Sequence, residues 1–325
     1  MMFFATLFCG NLLGAGLAAA ETQSFGAWLE GLRQEALSRG IAPTTLQAAL
    51  ADVQPIPRVI ELDRSQPEFT LTFDQYLERV VPESRVKLGQ RMLAEHRALL
   101  EEIGAKYGVQ PRFIVALWGV ETDFGRLTGG FDVVSALATL AHDGRRSDFF
   151  RKELLDALQI LDEGHISPAA MEGSWAGAMG QSQFMPSSFR QFAVDYNKDG
   201  RRDIWGTKAD VFASIANYLS SYNWHPDRIW GRPVRLPANF DPDLVGVDIE
   251  KPLREWQRLG VRKADGGNLP TAHFPGSIVM PGGSDGPAFM VYSNYKVILR
   301  WNRSTYFATA VGHLADRIGE MQPAP

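Results

Sequence analysis

The 325-residue sequence has one cysteine, Cys9, and six histidines. One thiol cannot build a disulfide framework or a cysteine-based zinc site. The histidines are scattered, with no H-x-x-x-H pair, so a zinc hydrolase lacks its usual ligands. G-x-S-x-G, P-loop and G-x-G-x-x-G motifs are absent, which removes the usual support for serine hydrolases and nucleotide enzymes. An excess of charge of one sign is also missing. Thirty-three Lys and Arg face 37 Asp and Glu, so no broad nucleic-acid-binding surface is expected. There is no internal repeat and no low-complexity segment. What is present is apolar: 45% of residues are hydrophobic and 11% aromatic. That composition excludes disorder as the dominant state, and the length suggests two or three domains or lobes.

The first twenty residues stand apart. They carry no charged side chain, are interrupted by Gly10, Asn11, Gly14 and Gly16, and end in Ala18-Ala19-Ala20. This reads as a secretory signal peptide cut after Ala20, although it has no basic n-region. Phe8 before Cys9 argues against a lipid anchor. Cleavage leaves a mature chain without cysteine, stabilised by its core or a bound ion instead of disulfides. No other stretch has the length and apolarity of a transmembrane helix.

Residues 24–50 read as helix, with Phe25, Trp28, Leu29 and Leu32 at helical spacing and a stop at Gly40. Pro55, Pro57 and Pro67 predict an extended or looped stretch from Asp52 to Thr72. A long helix is expected from Ser84 to Lys106, and Pro111 suits the first turn of the next. Further helices are marked by Leu154, Leu155, Leu158 and Leu161, and by Phe212, Ile215, Ala216 and Leu219. After Trp230 the pattern changes. A short helix carries Leu253 and Trp256, and strands are expected at Ser277–Met280, Phe289–Tyr292 and Tyr295–Trp301. Tyr295, Val297, Leu299 and Trp301 alternate with Lys296 and Arg300, and Ser293-Asn294 reads as a hairpin turn. Arg303 to Ile318 returns to helix.

Three motifs carry chemistry. From Pro111, helical spacing puts Ile114, Leu117, Trp118 and Glu121 on one face. A carboxyl that continues an apolar stripe is desolvated and should become a weaker acid, as a general acid near neutral pH requires. The competing reading is a structural Glu bonded to backbone N–H. The second motif, Gly173-Ser-Trp-Ala-Gly-Ala-Met-Gly-Gln-Ser-Gln-Phe-Met-Pro-Ser-Ser188, mixes glycines with Ser174, Gln181 and Gln183. It suits a sugar surface or, equally, tight helix packing. The third, Asp195-Tyr-Asn-Lys-Asp-Gly-Arg-Arg-Asp203, matches the first half of an EF-hand loop. Gly206 stands where the bidentate Glu belongs; Asp210 could supply a carboxylate from slightly further on, with Asp203 at loop position nine, and an Asx-rich turn without metal is the competing reading. Arg145-Arg146 could meet an anionic group, though a solvated pair is the plainer reading.

Together these stretches resemble the lytic murein transglycosylase B family, periplasmic enzymes that cut peptidoglycan glycan strands. The match is carried by Gly119-Val-Glu-Thr122, the glycine-rich motif, Asp195 to Trp205, Ala216-Asn-Tyr-Leu219 and Arg300-Trp-Asn-Arg-Ser304, and it spans about residues 25–320. The resemblance implies a mainly α, α+β fold: a lysozyme-like helical core with an EF-hand-like loop, a helical domain and a small β-domain. The expected limits are 21–100 for the helical domain, with 303–325 returning to it. The catalytic core takes 101–235, with the calcium loop at 195–210, and the β-domain takes 236–302. Glu121 becomes the catalytic acid, and Ser174 and Gln183 line the sugar site. Arg145, Arg146, Tyr218 and Asn302 fall on cleft positions. Trp301 stands where relatives often have Tyr, and Gln181 replaces a commonly aromatic position. Asp195, Asn197, Asp199, the Arg201 carbonyl and Asp210 are the implied ligands of one structural Ca2+, with no organic cofactor. The expected product is a 1,6-anhydromuramic end. A hydrolytic muramidase of the same fold and a silent wall-binding protein are the alternatives. The expected protein is a periplasmic monomer acting on peptidoglycan, with cell-wall synthesis or division proteins open as partners.

Overall fold

The computed structural model describes residues 23–65 and 71–320. The expected signal peptide, residues 1–20, lies outside them. The periodic apolar stretches fold into fourteen helices among the described residues. Six come first: α1 (Phe25–Ser38), α2 (Pro43–Leu50), α3 (Pro57–Ser65), α4 (Phe73–Val80), α5 (Glu83–Glu95) and α6 (Arg97–Tyr107). Five follow: α7 (Pro111–Thr122), α8 (Val133–His142), α9 (Ser147–Asp162), α10 (Pro186–Phe192) and α11 (Lys208–Ser221). The last three are α12 (Leu253–Arg258), α13 (Ser293–Trp301) and α14 (Thr305–Gly319). Strands β1 (Phe131–Asp132) and β2 (Glu172–Gly173) form a small antiparallel pair. Strands β3 (Gly231–Arg235), β4 (Lys251–Pro252), β5 (Arg262–Lys263), β6 (Pro275–Val279) and β7 (Ala288–Val291) form an antiparallel sheet in the order β4-β6-β7-β3-β5.

Helix α7 is the centre of the molecule. Phe113, Ile114, Val115, Ala116, Leu117 and Trp118 are all buried, so the helix is apolar around most of its circumference and must be surrounded. It packs against α5, α6, α11 and α14. The sheet has a separate small core of Val234, Leu253, Trp256, Val261, Ile278 and Met290. Expected strands at Ser277–Met280 and Phe289–Tyr292 correspond to β6 and β7.

Three sequence expectations need correction. The stretch Asp52 to Thr72 is not wholly extended: Pro57 begins α3, at a position where its missing N–H costs nothing, and Val59 is fully buried. The long helix from Ser84 to Lys106 is two helices, broken at His96 (φ −101°, ψ 18°). The break lets the His96 ring pack against Trp118 and Phe212. Tyr295–Trp301 is not a strand but most of α13, and Ser293-Asn294 is its first turn. Alternation fits the sequence, but Tyr295 and Ile298 are both fully buried, a three-residue spacing that a strand would send to opposite faces. Asn294, read as a turn residue, is buried, and its side chain bonds to His225 N–H and to the His225 and Arg228 carbonyls.

Candidate active site

The end of α7 sets the geometry. Three consecutive residues adopt left-handed backbone: Asp123 (φ 51°), Phe124 (φ 62°) and Gly125 (φ 82°). For Asp and Phe this conformation is strained, so the surroundings must hold it. Phe124 is buried and packs edge-on to Trp118. A side chain at Gly119 would meet the Phe124 ring at 2.7 Å, and one at Gly125 would meet Gln181 Oε1 at 2.3 Å. Both glycines are therefore required by close approach. The reversal leaves Glu121, in the last turn of α7, half-buried at a cleft, while Thr122 beside it is buried. Asp123 turns away and pairs with Arg85 and Arg126.

The glycine-rich stretch is clamped to this turn. Thr122 Oγ1 donates to the Gln181 carbonyl (2.9 Å) and accepts from Gly125 N–H (3.1 Å). Gln181 Oε1 accepts from Trp118 Nε1 (2.9 Å) and Lys208 Nζ (2.6 Å). Gln181 is 5% exposed, so of the two readings open for this stretch it takes the packing one: it is a buried junction of α7, α11 and the loop. Gln183 differs. At φ 50° it donates through Nε2 to the Thr128 and Gly180 carbonyls (3.0 and 2.9 Å) and reaches the cleft. Ser174 Oγ accepts from Ala178 N–H (3.0 Å) in the turn that follows β2. Gly129, opposite β2, has φ 104°, and a side chain there would collide with the Gly173 carbonyl.

The cleft beside Glu121 has a volume of about 1070 Å³. Tyr76, Arg79 and Val80 of α4 form one wall, and Asn302 to Phe307 form another. Among the described residues that line it, Glu121 is the one carboxylate, and Arg79 and Arg303 are the cations. Trp301 Nε1 donates to Glu121 Oε1 at 2.6 Å. The Trp301 ring packs against Tyr218 and Phe184, with centroids 4.7 and 5.2 Å away. Tyr218 is buried, and its phenol donates to the Arg300 carbonyl at 2.7 Å. Burial pushes that phenol far above its usual acidity range, so it stays a donor. Asn302 lines the cleft and its Oδ1 accepts from Ser304 N–H at 3.0 Å.

Not every expected residue is gathered there. Arg145 and Arg146 pair with Asp63 of α3, which is 1% exposed, and Arg146 also covers the Phe150 ring. They are not among the residues lining the Glu121 cleft, and neither are Ser174 and the buried Tyr218; of the expected sugar-site residues, Gln183 and Asn302 line it with Glu121. Conversely, sequence reading missed Tyr76 and Arg79, which no motif marks because they come from a helix brought in by packing; Arg303 lies within the Arg300–Ser304 motif but carried no cleft role in the sequence.

In the loop after α10, Asp195 accepts from Asp199 and Gly200 N–H groups, and Asp199 accepts from Arg201 N–H and the Asn197 amide. Asp210, fully buried at the start of α11, accepts from Tyr196 and Asp203 N–H groups. Among the described residues, no three His, Cys, Asp or Glu side chains converge as a metal site. The donor set nonetheless suits a hard cation. It is all oxygen, and Gly200 makes the turn at φ 91°.

A helical fold with one cleft carboxylate at the end of a central apolar helix defines a lysozyme-like glycan-cleaving class. Comparison places the chain within it. Residues 24–316 match the Transglycosylase SLT domain model, and the chain belongs to that family. It is 30% identical over 257 residues to the membrane-bound lytic murein transglycosylase B of Escherichia coli K12, which covers 75% of this chain and 66% of that protein. SltB3 of Pseudomonas aeruginosa, solved in complex with NAG-NAM-pentapeptide, superposes with a TM-score of 0.89 at 47% identity, over 92% of this chain and 80% of that one. The E. coli lytic transglycosylase Slt35, solved in complex with calcium, gives a TM-score of 0.78 at 26% identity, over 90% and 92%. The lysozyme-like fold and the transglycosylase B-like kinship expected from sequence are thus established.

Proposed function

We propose that this protein is a peptidoglycan lytic transglycosylase in which Glu121 acts alone as general acid and then base. The observation that carries the reading is the cleft's charge inventory: one carboxylate and no acidic partner among the described lining residues. Two-carboxylate glycosidases, retaining or inverting, need a second carboxyl about 5–9.5 Å from the first, and the described lining residues supply none, which favours substrate assistance. Glu121 protonates the glycosidic oxygen of the MurNAc-GlcNAc bond as the muramic N-acetyl oxygen attacks the anomeric carbon. The C–O bond to the leaving sugar breaks and an oxazolinium forms. The Glu121 carboxylate then takes the proton of the same sugar's 6-hydroxyl, whose oxygen closes on the anomeric carbon and releases the N-acetyl oxygen. That nucleophile is tethered, so its effective concentration exceeds that of water.

Gln183 and Asn302 meet the sugar in the cleft and Ser174 extends that surface towards the N-acetyl group, while Tyr218, buried beneath Trp301, supports the site from behind. Arg145 and Arg146 would act beyond the Glu121 cleft, on outlying anionic parts of the strand. One structural Ca2+ is held by Asp195, Asn197, Asp199, the Arg201 carbonyl and Asp210. When bound it neutralises the loop's clustered charge and takes no part in bond cleavage. The calcium-bound relative and the loop's oxygen pattern support this. The substrate lies in the periplasm, and an export signal in residues 1–20 fits that location. No described helix is long and apolar enough to cross a membrane.

Mass spectrometry of digested sacculi tests the reading. Products should carry 1,6-anhydromuramic ends, and Glu121→Gln should lower turnover by about 10³-fold or more, the scale expected when an acid–base group is lost. Predominantly reducing muramic ends would make the protein a muramidase. Turnover that survives Glu121→Gln would overturn the site.

A further inference from the structure

We infer that Trp301 is a positioning residue that decides which oxygen of Glu121 carries the transferable proton. The inference rests on the acid–base role proposed for Glu121. An indole N–H is a donor and never an acceptor. Bonded at 2.6 Å to Glu121 Oε1, it requires electron density there and favours Oε2 as the protonated atom. The bond also restrains the orientation of the carboxyl group, which proton transfer in the transition state needs.

Trp301 is itself fixed. Its ring is packed by Tyr218 and Phe184, and the Tyr218 phenol grips the adjacent Arg300 carbonyl at the end of α13. A relay therefore runs from Tyr218 through the last turn of α13 to the carboxyl of α7. A tyrosine at position 301 would present a phenol that can donate or accept, so the donor-only constraint on Glu121 belongs to this chain's tryptophan.

Among the described residues lining the cleft with Glu121, the cations are Arg79 of α4 and Arg303 before α14. On its own element, Asp123 is neutralised by Arg85 and Arg126. These charges are untouched by Trp301→Phe, which keeps one aromatic ring against Tyr218 and Phe184 while removing the donor and part of the indole's bulk. A donor to a carboxylate favours the ionised form, so its removal makes Glu121 a weaker acid.

The test is the pH profile of kcat/KM for the full chain on sacculi. In Trp301→Phe the alkaline limb should move upward by roughly half a unit to one unit, the scale of one lost hydrogen bond. Its kcat should fall about tenfold, with KM changed less than threefold. Tyr218→Phe, which keeps ring packing and loosens the grip on Arg300, should move the limb the same way by less. It also keeps the inference testable if Trp301→Phe fails to fold. An unmoved limb with raised KM would make Trp301 a sugar platform and overturn the inference. A wild-type enzyme that makes no anhydro ends would defeat the proposed function instead.

Discussion

Gln181 spends every hydrogen-bonding group on other parts of the protein. Its Oε1 takes the Trp118 and Lys208 donors, its Nε2 donates to the Trp205 carbonyl, and its own carbonyl takes Thr122. Truncation would leave a buried indole N–H and a half-buried ammonium without an acceptor. Gln181→Ala should therefore cost about 2–4 kcal/mol, the sum of lost packing and unmet polar groups. Urea unfolding measures it, and a cost under about 0.5 kcal/mol, the ordinary surface range, would contradict the junction role. This residue also shows what sequence can carry at this scale. Glu121 was legible because its apolar spacing and its position before the Asp123–Gly125 reversal are local. Gln181 and Gln183, two positions apart, look equivalent in sequence. Only the positive φ at Gln183 sends one toward the cleft and leaves the other under α7.

Helix α14 is the element that joins the helical body to the sheet. It packs against α4, α5, α7 and α13, and Gly312 on it lies directly on the Trp230 ring. A methyl group at Gly312 would sit 2.2 Å from that ring, and Trp230 is fully buried, with its Nε1 bonded to Asp316 Oδ2 at 2.8 Å. Neither group has room to yield. Gly312→Ala, which raises helix propensity, should nevertheless destabilise by about 1–3 kcal/mol through overpacking. A melting temperature equal to or above wild type would refute this. The same element scale explains which helices were readable. Those with strong caps or periodic apolar faces, such as α7, α9 and α11, stood out. Helix α13 did not, because an alternating pattern of seven residues fits a strand until Asn294 and Ile298 are known to be buried. Which face is buried is tertiary information, and it overrode local pattern.

At the scale of the whole molecule, two charge systems set how stability responds to solution. Glu153 of α9 is 2% exposed and accepts from the Ser187 N–H and hydroxyl at the start of α10. Burial raises its pKa, more than the Ser187 bonds and Lys152 lower it, and Asp156 adds to the rise. The folded state thus binds this proton more tightly than the unfolded chain. Its contribution is complete below the unfolded value of about 4.3 and is lost as pH rises through the folded value. Glu153→Gln should remove that slope from stability measured just above this range. The calcium loop works the other way, through a ligand. Asp195, Asp199, Asp203 and Asp210 sit within one turn and the helix that follows it, and like charges so close repel. The protein meets part of this cost with its own N–H groups, which is why the loop is formed as a series of bonded turns. A cation that binds only the folded loop adds stability by mass action. It should leave the glycan chemistry alone, since the cleft residues and the loop ligands are different sets. The expected result is a melting temperature higher in saturating calcium than in chelator, with the anhydro product unchanged in kind. Missing its twelfth-position Glu, the loop should need calcium well above the nanomolar range of buffer EF-hands. Equal melting temperatures in the two conditions would show that hydrogen bonds alone hold the loop. A product switched from anhydro to reducing ends by the chelator would place the ion in the chemistry, against this account.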